Sequence, residues 1–167
     1  MQGSAKGPTA FSICVSSYRP RNGGNLDEKY ADDFNLIIPA SNSHTVQDEI
    51  DHIAAWADGN NLKLNQSKST ELIIRKPRSK IPDPPPLNNL PRVDHLKILG
   101  VTIESNLSMR SHIDNIVTRA SQTMYALKTV KAHGLPLNAF SNITRSTMLS
   151  GLTYESPAWY GFTSSEN

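Results

Sequence analysis

Two adjacent carboxylates, Asp32 and Asp33, are the residues of this 167-residue chain best suited to chemistry. Hard oxygen ligands with no Cys or His beside them favour Mg²⁺ or Mn²⁺ over zinc. The turn-forming residues 22–25 precede the pair and the apolar residues 36–38 follow it, which predicts a β-hairpin with the acids at its tip. The pair therefore suggests metal-dependent phosphoryl transfer, although an isolated Asp-Asp also fits an ordinary polar turn.

The geometry of a strand sets a condition on this site. Neighbouring side chains on an extended strand point to opposite faces of the sheet. Asp32 and Asp33 can therefore bind one metal together only if the backbone turns at or just after the pair. Otherwise one acid faces the metal and the other supports it.

Four segments of the chain, residues 2–8, 30–33, 56–71 and 96–103, resemble in this order motifs of the reverse transcriptases of non-LTR (LINE-type) retrotransposons. Residues 2–8, Q-G-S-A-K-G-P, are similar to the family's Q-G-S-x-x-G-P segment, and residues 30–33 are similar to its metal-binding Y-A-D-D box. Residues 56–71 resemble its W-x-x-x-N-x-L-x-L-N-x-x-K-(S/T)-x-E stretch, and residues 96–103 resemble the L-G-V-x-(I/L) hairpin that grips the primer. The resemblance spans almost the whole chain.

The resemblance implies an α+β fold and an activity. Residues 1–104 would form part of a reverse-transcriptase palm, with short antiparallel strands and flanking helices, and residues 105–167 would form a helical thumb-like region. The implied activity is RNA-directed DNA polymerisation by two-metal nucleotidyl transfer with Mg²⁺ or Mn²⁺. Its partners would be an RNA template, a DNA primer and a dNTP.

The resemblance also implies roles for individual residues. Asp32 and Asp33 would be catalytic metal ligands, with Asp32 the more direct of the two. The remaining roles are nucleotide and template binding by Gln2, Gly3, Ser4 and Tyr30, contact with the leaving phosphates by Lys68, primer binding by Leu99 and Gly100, and contact with the nucleic-acid backbone by Arg119, Lys128 and Lys131.

The chain departs from the family pattern in several places. The family uses a third carboxylate in an upstream D-x-x-x-A-F-D strand, which is not among these 167 residues. Residues 16–18 stand where the family has an N-D-L-like run, and Lys6 replaces an apolar residue. We therefore expect an incomplete metal site and a chain that is inactive alone. Two alternatives are a non-catalytic nucleic-acid-binding remnant and a chain whose unpaired sheet edge favours aggregation.

Charge is unevenly distributed along the chain. Residues 21–58 hold eight acidic residues against two basic ones, whereas residues 59–150 hold thirteen basic residues against five acidic ones. Carboxylates that bind metal beside cations that neutralise phosphates are typical of nucleic-acid enzymes. The basic cluster in residues 75–80 also fits a loop that is merely kept soluble.

Composition places the chain among ordinary globular proteins, with 37% hydrophobic and 19% charged residues. The single cysteine, Cys14, cannot form an internal disulfide, and the five histidines show no zinc-ligand spacing. The chain has no apolar run near the roughly 18 residues that span a bilayer, and no signal-peptide pattern. The sequence therefore predicts an intracellular protein, in the nucleus or cytoplasm, that is not secreted and has no membrane partner.

Local patterns predict the elements of the first part of the chain. Apolar residues recur at helical spacing over residues 45–58, with acids in the first turn. Residues 62–64 and 71–74 suggest two short strands, and the turn between them would place Lys68 at an exposed tip. The prolines that follow, within residues 82–86, predict an extended linker.

The second part is predicted to be mainly helical. Residues 96–103 fit a strand, a turn with Gly100 at the bend, and a second strand. A long helix is expected over residues 109–133, with Ser108 as its N-cap and Gly134 ending it. A further helix is expected over residues 138–152, with the aromatic residues of the C-terminal tail packed against it.

Overall fold

The computed structural model describes residues 7–76 and 78–163. The predicted nucleotide-site residues Gln2, Gly3 and Ser4 lie outside the described residues. Contacts divide the chain into two compact units, the first comprising Met1–Ser69 with Pro84–Pro91 and the second comprising Thr70–Asp83 with Arg92–Asn167. The described part of each unit is considered by itself.

The first unit contains two helices and one β-hairpin. Helix α1 spans Gly7–Val15, strands β1 and β2 span Leu26–Tyr30 and Asp33–Ile37, and helix α2 spans Val46–Gly59. The strands pair antiparallel with Leu26 opposite Ile37 and Tyr30 opposite Asp33. A 3₁₀ turn, Ala40–Thr45, leads into α2. The predictions of a hairpin around the two acids and of a helix over residues 45–58 are thereby confirmed.

An aromatic cluster around Tyr18 forms the core of the first unit. The Tyr18 side chain is 1% exposed. Its ring lies edge-on to Phe34 of β2 at 5.0 Å between centroids, and edge-on to Trp56 of α2 at 5.5 Å. Edge-to-face aromatic pairs at these separations stabilise a core beyond the area they bury. Tyr18, at a position that departs from the family pattern, is therefore the residue that joins the hairpin to α2.

The second unit combines short strand pairs with helices. Strand β3 (Glu71–Leu72) pairs parallel with β4 (Arg92–Val93), and β5 (His95–Ile98) pairs antiparallel with β6 (Val101–Glu104). The helices are α3 (Arg110–Ala132), α4 (Leu137–Ile143), α5 (Ser150–Thr153) and α6 (Ser156–Trp159), and a π-helical segment, Thr144–Leu149, joins α4 to α5. Helices with small, mainly antiparallel strand pairs are an α+β arrangement, as predicted. The assignment to a palm and a thumb, and the boundary at residue 104, stay predictions.

Helix α3 confirms the prediction of a long helix over residues 109–133, but its N-cap residue differs from the predicted one. Met109 occupies the N-cap position. Ser108 still contributes, because its hydroxyl accepts a hydrogen bond from the Arg110 N–H at 3.2 Å. At the other end Gly134 has φ +93°, the left-handed conformation that ends a helix. Two apolar side chains of this helix, Val117 and Val130, are exposed.

The predicted strand at residues 62–64 is wrong. The Leu62 N–H donates to the Ala57 carbonyl at 2.8 Å, and Asn61 adopts a left-handed φ of +55°. These features close the end of α2 and use the backbone donor that a strand ladder would need. Residues 62–65 are therefore the continuation of a helix cap.

The helix expected over residues 138–152 is confirmed, with a π-helical segment in its middle. Thr144 and Thr147 donate their hydroxyls to carbonyls four residues earlier, at 2.8 and 2.6 Å, and Ser150 donates to the Ser146 carbonyl. Side-chain bonds of this kind compete with the regular helix ladder.

In the described part of the chain, no helix has the length and apolar character needed to cross a membrane.

Candidate metal site

The two acids lie at the tip of the β1–β2 hairpin. Ala31 and Asp32 form its two-residue turn, and Tyr30 pairs with Asp33 directly below it. Asp32, Asp33 and Tyr30 are all exposed. The backbone turns at Ala31 and Asp32, and Asp33 is already the first residue of β2.

The turn contains a strained residue. Ala31 has φ +51°, in the left-handed region that favours glycine. An L-residue in that region costs on the order of 1 kcal/mol, which the rest of the structure must offset. Cross-strand pairing of β1 with β2 on both sides of the turn stabilises Ala31 in this conformation.

Glu49, in the first turn of α2, organises the loop that leads into β1. Its side chain is fully buried, at 0% exposure. The carboxylate oxygens accept hydrogen bonds from the backbone N–H groups of Arg21 (3.0 Å) and Asn22 (2.7 Å), from the side-chain amides of Asn22 (3.0 Å) and Asn25 (2.9 Å), and from the Tyr18 hydroxyl (3.4 Å). A buried carboxylate with this many donors is satisfied without a cationic partner.

Three further hydrogen bonds, all donated by side-chain amides, complete this network. Asn25 also donates to the Thr45 hydroxyl at 3.0 Å, and Asn42 donates to the Asn25 side-chain oxygen at 2.9 Å and to the Gly23 carbonyl at 2.9 Å. Asn25 immediately precedes β1. The network thus fixes the base of the hairpin that carries Asp32 and Asp33.

The network changes the proton affinities of its members. Burial would by itself raise the pKa of Glu49, but the hydrogen bonds from Arg21, Asn25 and Asn22 outweigh burial and lower that pKa from 4.5 to about 2. Burial, together with the nearby Glu49 charge, raises the pKa of the Tyr18 hydroxyl well above its ordinary value. Glu49 is therefore ionised and Tyr18 is neutral at neutral pH.

Asp27 and Lys29 of β1 have structural roles. The Lys29 Nζ lies 2.5 Å from the Asp27 carboxylate and donates to the Tyr18 carbonyl at 2.9 Å. The same ammonium lies over the rings of Tyr18 at 5.3 Å and Phe34 at 5.8 Å. Asp27 is engaged in an ion pair and lies opposite Leu36, away from the turn. The carboxylates at the tip are therefore those of Asp32 and Asp33.

The donor set at the tip fits Mg²⁺ or Mn²⁺ in kind, because both ligands are hard oxygen donors. Across residues 7–76 and 78–163, no cluster of three or more His, Cys, Asp or Glu side chains is arranged to hold a metal ion. Further ligands at the tip would have to come from water, a bound nucleotide or another segment.

Lys68 lies in the same unit as the tip. It is exposed at the end of a 3₁₀ turn, Gln66–Lys68. Exposure agrees with the prediction, whereas the turn follows a helix cap and does not join two strands. Among the described residues, no hydrogen bond or ion pair connects Lys68 to Asp32 or Asp33.

The predicted primer-binding residues form the tight turn between β5 and β6. Leu99 and Gly100 both have positive φ, at +48° and +94°. The Tyr154 hydroxyl donates to the Leu99 carbonyl at 3.0 Å, and a Cβ at residue 100 would lie 2.9 Å from Cε1 of Tyr154. The turn therefore requires glycine at position 100, and the tyrosine ring covers one side of it.

The three predicted backbone-binding cations lie on α3 and are exposed. Lys131 lies over the Phe140 ring of α4 at 5.3 Å, so part of its role is packing. Lys128 borders an apolar groove that is also lined by Met124 and Met148. Arg119 forms no ion pair within the described residues.

Sequence patterns missed Glu49 and Tyr154. The position of Glu49 in the first turn of a helix suggested an exposed acid that favours the helix dipole. The asparagines at residues 22, 25 and 42 were a usable signal for such a network, because their side-chain amides need acceptors when they are taken out of water. Tyr154 contacts a turn 55 residues away, and no local pattern indicates such a contact.

Comparison of the chain with protein-family models, curated proteins and solved structures finds no match. The resemblance to reverse transcriptases thus depends on the four motif segments themselves. The described residues include three of those segments in full and part of the first.

Proposed function

We propose that this chain is part of an RNA-directed DNA polymerase of the LINE type and that Asp32 and Asp33 bind Mg²⁺ or Mn²⁺. The observation that supports the proposal best is the exposed two-residue turn, in which a strained Ala31 precedes Asp32 and Asp33 begins the next strand. Backbone strain of this kind is concentrated at functional sites. The reaction class, nucleotidyl transfer, is inferred from the order of the four motif segments.

Four groups of residues have defined tasks in this proposal. Divalent metal, when bound, supplies activation of the primer 3′-hydroxyl and stabilisation of the pyrophosphate leaving group. Asp32 and Asp33 hold the metal, and the Glu49 network keeps their hairpin in place. Lys68 offers a cation to the phosphates of the dNTP, and the Leu99–Gly100 turn receives the primer.

Two carboxylates form an incomplete site for this chemistry. Phosphoryl transfer depends on positioning and on electrostatic stabilisation of developing charge. Because the family's third carboxylate strand is not among these 167 residues, we expect metal binding by this chain but no DNA synthesis by it alone.

Nucleic-acid binding without catalysis is the second candidate. It is favoured by the excess of thirteen basic over five acidic residues in residues 59–150. This candidate predicts RNA or DNA binding that weakens with salt, needs no metal and is unchanged in Asp32→Asn.

Paramagnetic broadening by Mn²⁺ tests the metal site. We expect titrated Mn²⁺ to broaden the backbone amide signals of residues 31–34 first. In Asp32→Asn and Asp33→Asn, the Mn²⁺ concentration needed for the same broadening should rise on the order of tenfold or more, because loss of even an outer-shell partner usually lowers metal affinity about 10–100-fold.

Asp58→Asn is the matched control, because Asp58 is an exposed acid on α2 in the same unit. It should leave the broadening at the tip unchanged. Broadening that is equally strong in Asp32→Asn, or that follows exposed carboxylates without preference for the tip, would contradict the proposed metal site.

A further inference from the structure

A polar cavity of about 350 Å³ lies in the second unit, beside the loop that follows β3. Its described lining includes three cationic side chains, Arg75, Lys76 and Arg78. Ser79, Ser105 and Asn106 add neutral hydrogen-bonding groups, and Asp94 is the one acid of this lining.

Backbone bonds hold the walls of this cavity together. The Arg75 N–H donates to the Ser105 carbonyl at 2.7 Å, and the Ser105 N–H donates to the Asp94 carbonyl at 2.9 Å. The Ser79 N–H donates to the Lys76 carbonyl at 3.0 Å and closes the turn that carries the cations. The cationic loop is therefore attached to the segment after β6.

The charges around the cavity are only partly compensated. The Arg75 guanidinium pairs with Asp83 at 2.9 Å. Lys76 and Arg78 are exposed, and within the described residues their side chains make no ion pair. Two uncompensated cations beside hydroxyl and amide groups suit an anionic ligand with several oxygens.

The form of the cavity favours a polymer backbone over a small molecule. No aromatic or aliphatic residue appears in its described lining, whereas small-molecule sites are mostly apolar. Phosphates of a nucleic-acid strand are bound by Arg and Lys together with Ser and Asn side chains, without recognition of base sequence.

We propose that Lys76 and Arg78, with Arg75, bind consecutive phosphates of a single-stranded nucleic acid at this cavity. The proposed contact uses none of the residues of the hairpin tip and none of the three cations of α3. This contact requires no metal, so its test is independent of the test of the proposed polymerase site.

Binding of a labelled 20-nucleotide oligouridine, followed by fluorescence anisotropy in EDTA, tests the proposal. The double variant Lys76→Gln/Arg78→Gln should weaken binding several-fold at low salt. It should also reduce the slope of log K against log salt by about 1.4, since each contact to a single-stranded phosphate contributes about 0.7. Asp94→Asn should tighten binding, because it removes the negative charge that faces the same phosphates.

A charge-matched control separates local binding from net charge. Lys63→Gln/Arg145→Gln removes two exposed cations elsewhere and should change the affinity far less. An equal loss in this control, or no gain in Asp94→Asn, would overturn the proposal. Inorganic pyrophosphate is the second arm, and competition by pyrophosphate at concentrations similar to those of the oligonucleotide would show a small-anion site and would also overturn it.

Discussion

Replacing Glu49 with alanine should lower the free energy of unfolding of the first unit by about 3–5 kcal/mol, as when one partner of a buried charged network is removed. The substitution leaves the backbone N–H groups of Arg21 and Asn22, and the amides of Asn22 and Asn25, without their acceptor. It also opens space beside the buried Tyr18 ring. Urea denaturation followed by Trp56 fluorescence in a Trp159→Phe background would measure the change in this unit.

Asp48→Ala is the control, because Asp48 is the exposed neighbour in the same helical turn. It removes only a favourable interaction with the helix dipole, which is worth about 0.3–1 kcal/mol. If Glu49→Ala lowers the free energy of unfolding no more than Asp48→Ala does, water or other groups satisfy the donors. The Glu49 network then does not stabilise the hairpin.

Acid should unfold the first unit through the same residue. The pKa of Glu49 is about 2 in the folded chain and 4.5 ordinarily. A lowered pKa in the folded state means that stability is fully present above pH 4.5 and is lost as the pH falls toward 2. The full effect is about 3 kcal/mol, since one pKa unit corresponds to about 1.4 kcal/mol.

Urea midpoints at pH 7, 4.5, 3 and 2, again from Trp56 fluorescence, would follow this loss. Glu49→Gln should be less stable than the original chain at pH 7 and should show a much flatter pH dependence between 4.5 and 2. The same acid dependence in both proteins would assign the effect to other carboxylates. Glu104 is one such group, because hydrogen bonds from Ser111 lower its pKa, but it lies in the second unit and is distant in sequence from the Trp56 probe.

Features that depend on neighbouring residues were predictable from sequence. Turn residues and apolar alternation indicate the hairpin around Asp32 and Asp33, and helical periodicity indicates α2 and α3. The bend at Gly100 follows from the preference of glycine for positive φ. These elements agree with the structure because their local propensities and their environment favour the same conformation.

Features that depend on distant contacts were not predictable. Glu49 resembles an exposed helix-start acid until donors 24–31 residues away surround it. Residues 62–64 alternate like a strand, but the Leu62 N–H is already committed to the end of α2. Tyr18 departs from the family pattern in sequence and is the central core residue in the structure. In each case tertiary contacts override the local pattern.

We propose that the hairpin tip binds metal for chemistry at a primer terminus. The most direct measurement is the Mn²⁺ titration of residues 31–34 in the presence of an RNA–DNA hybrid with a recessed primer end, compared with a blunt hybrid of the same length. If the primer terminus and the two acids share the metal, the recessed hybrid should lower the Mn²⁺ concentration needed for broadening, and the difference should vanish in Asp32→Asn. Identical titrations with the two hybrids would contradict the proposed site, because they would show that any metal at Asp32 and Asp33 is not coupled to a primer.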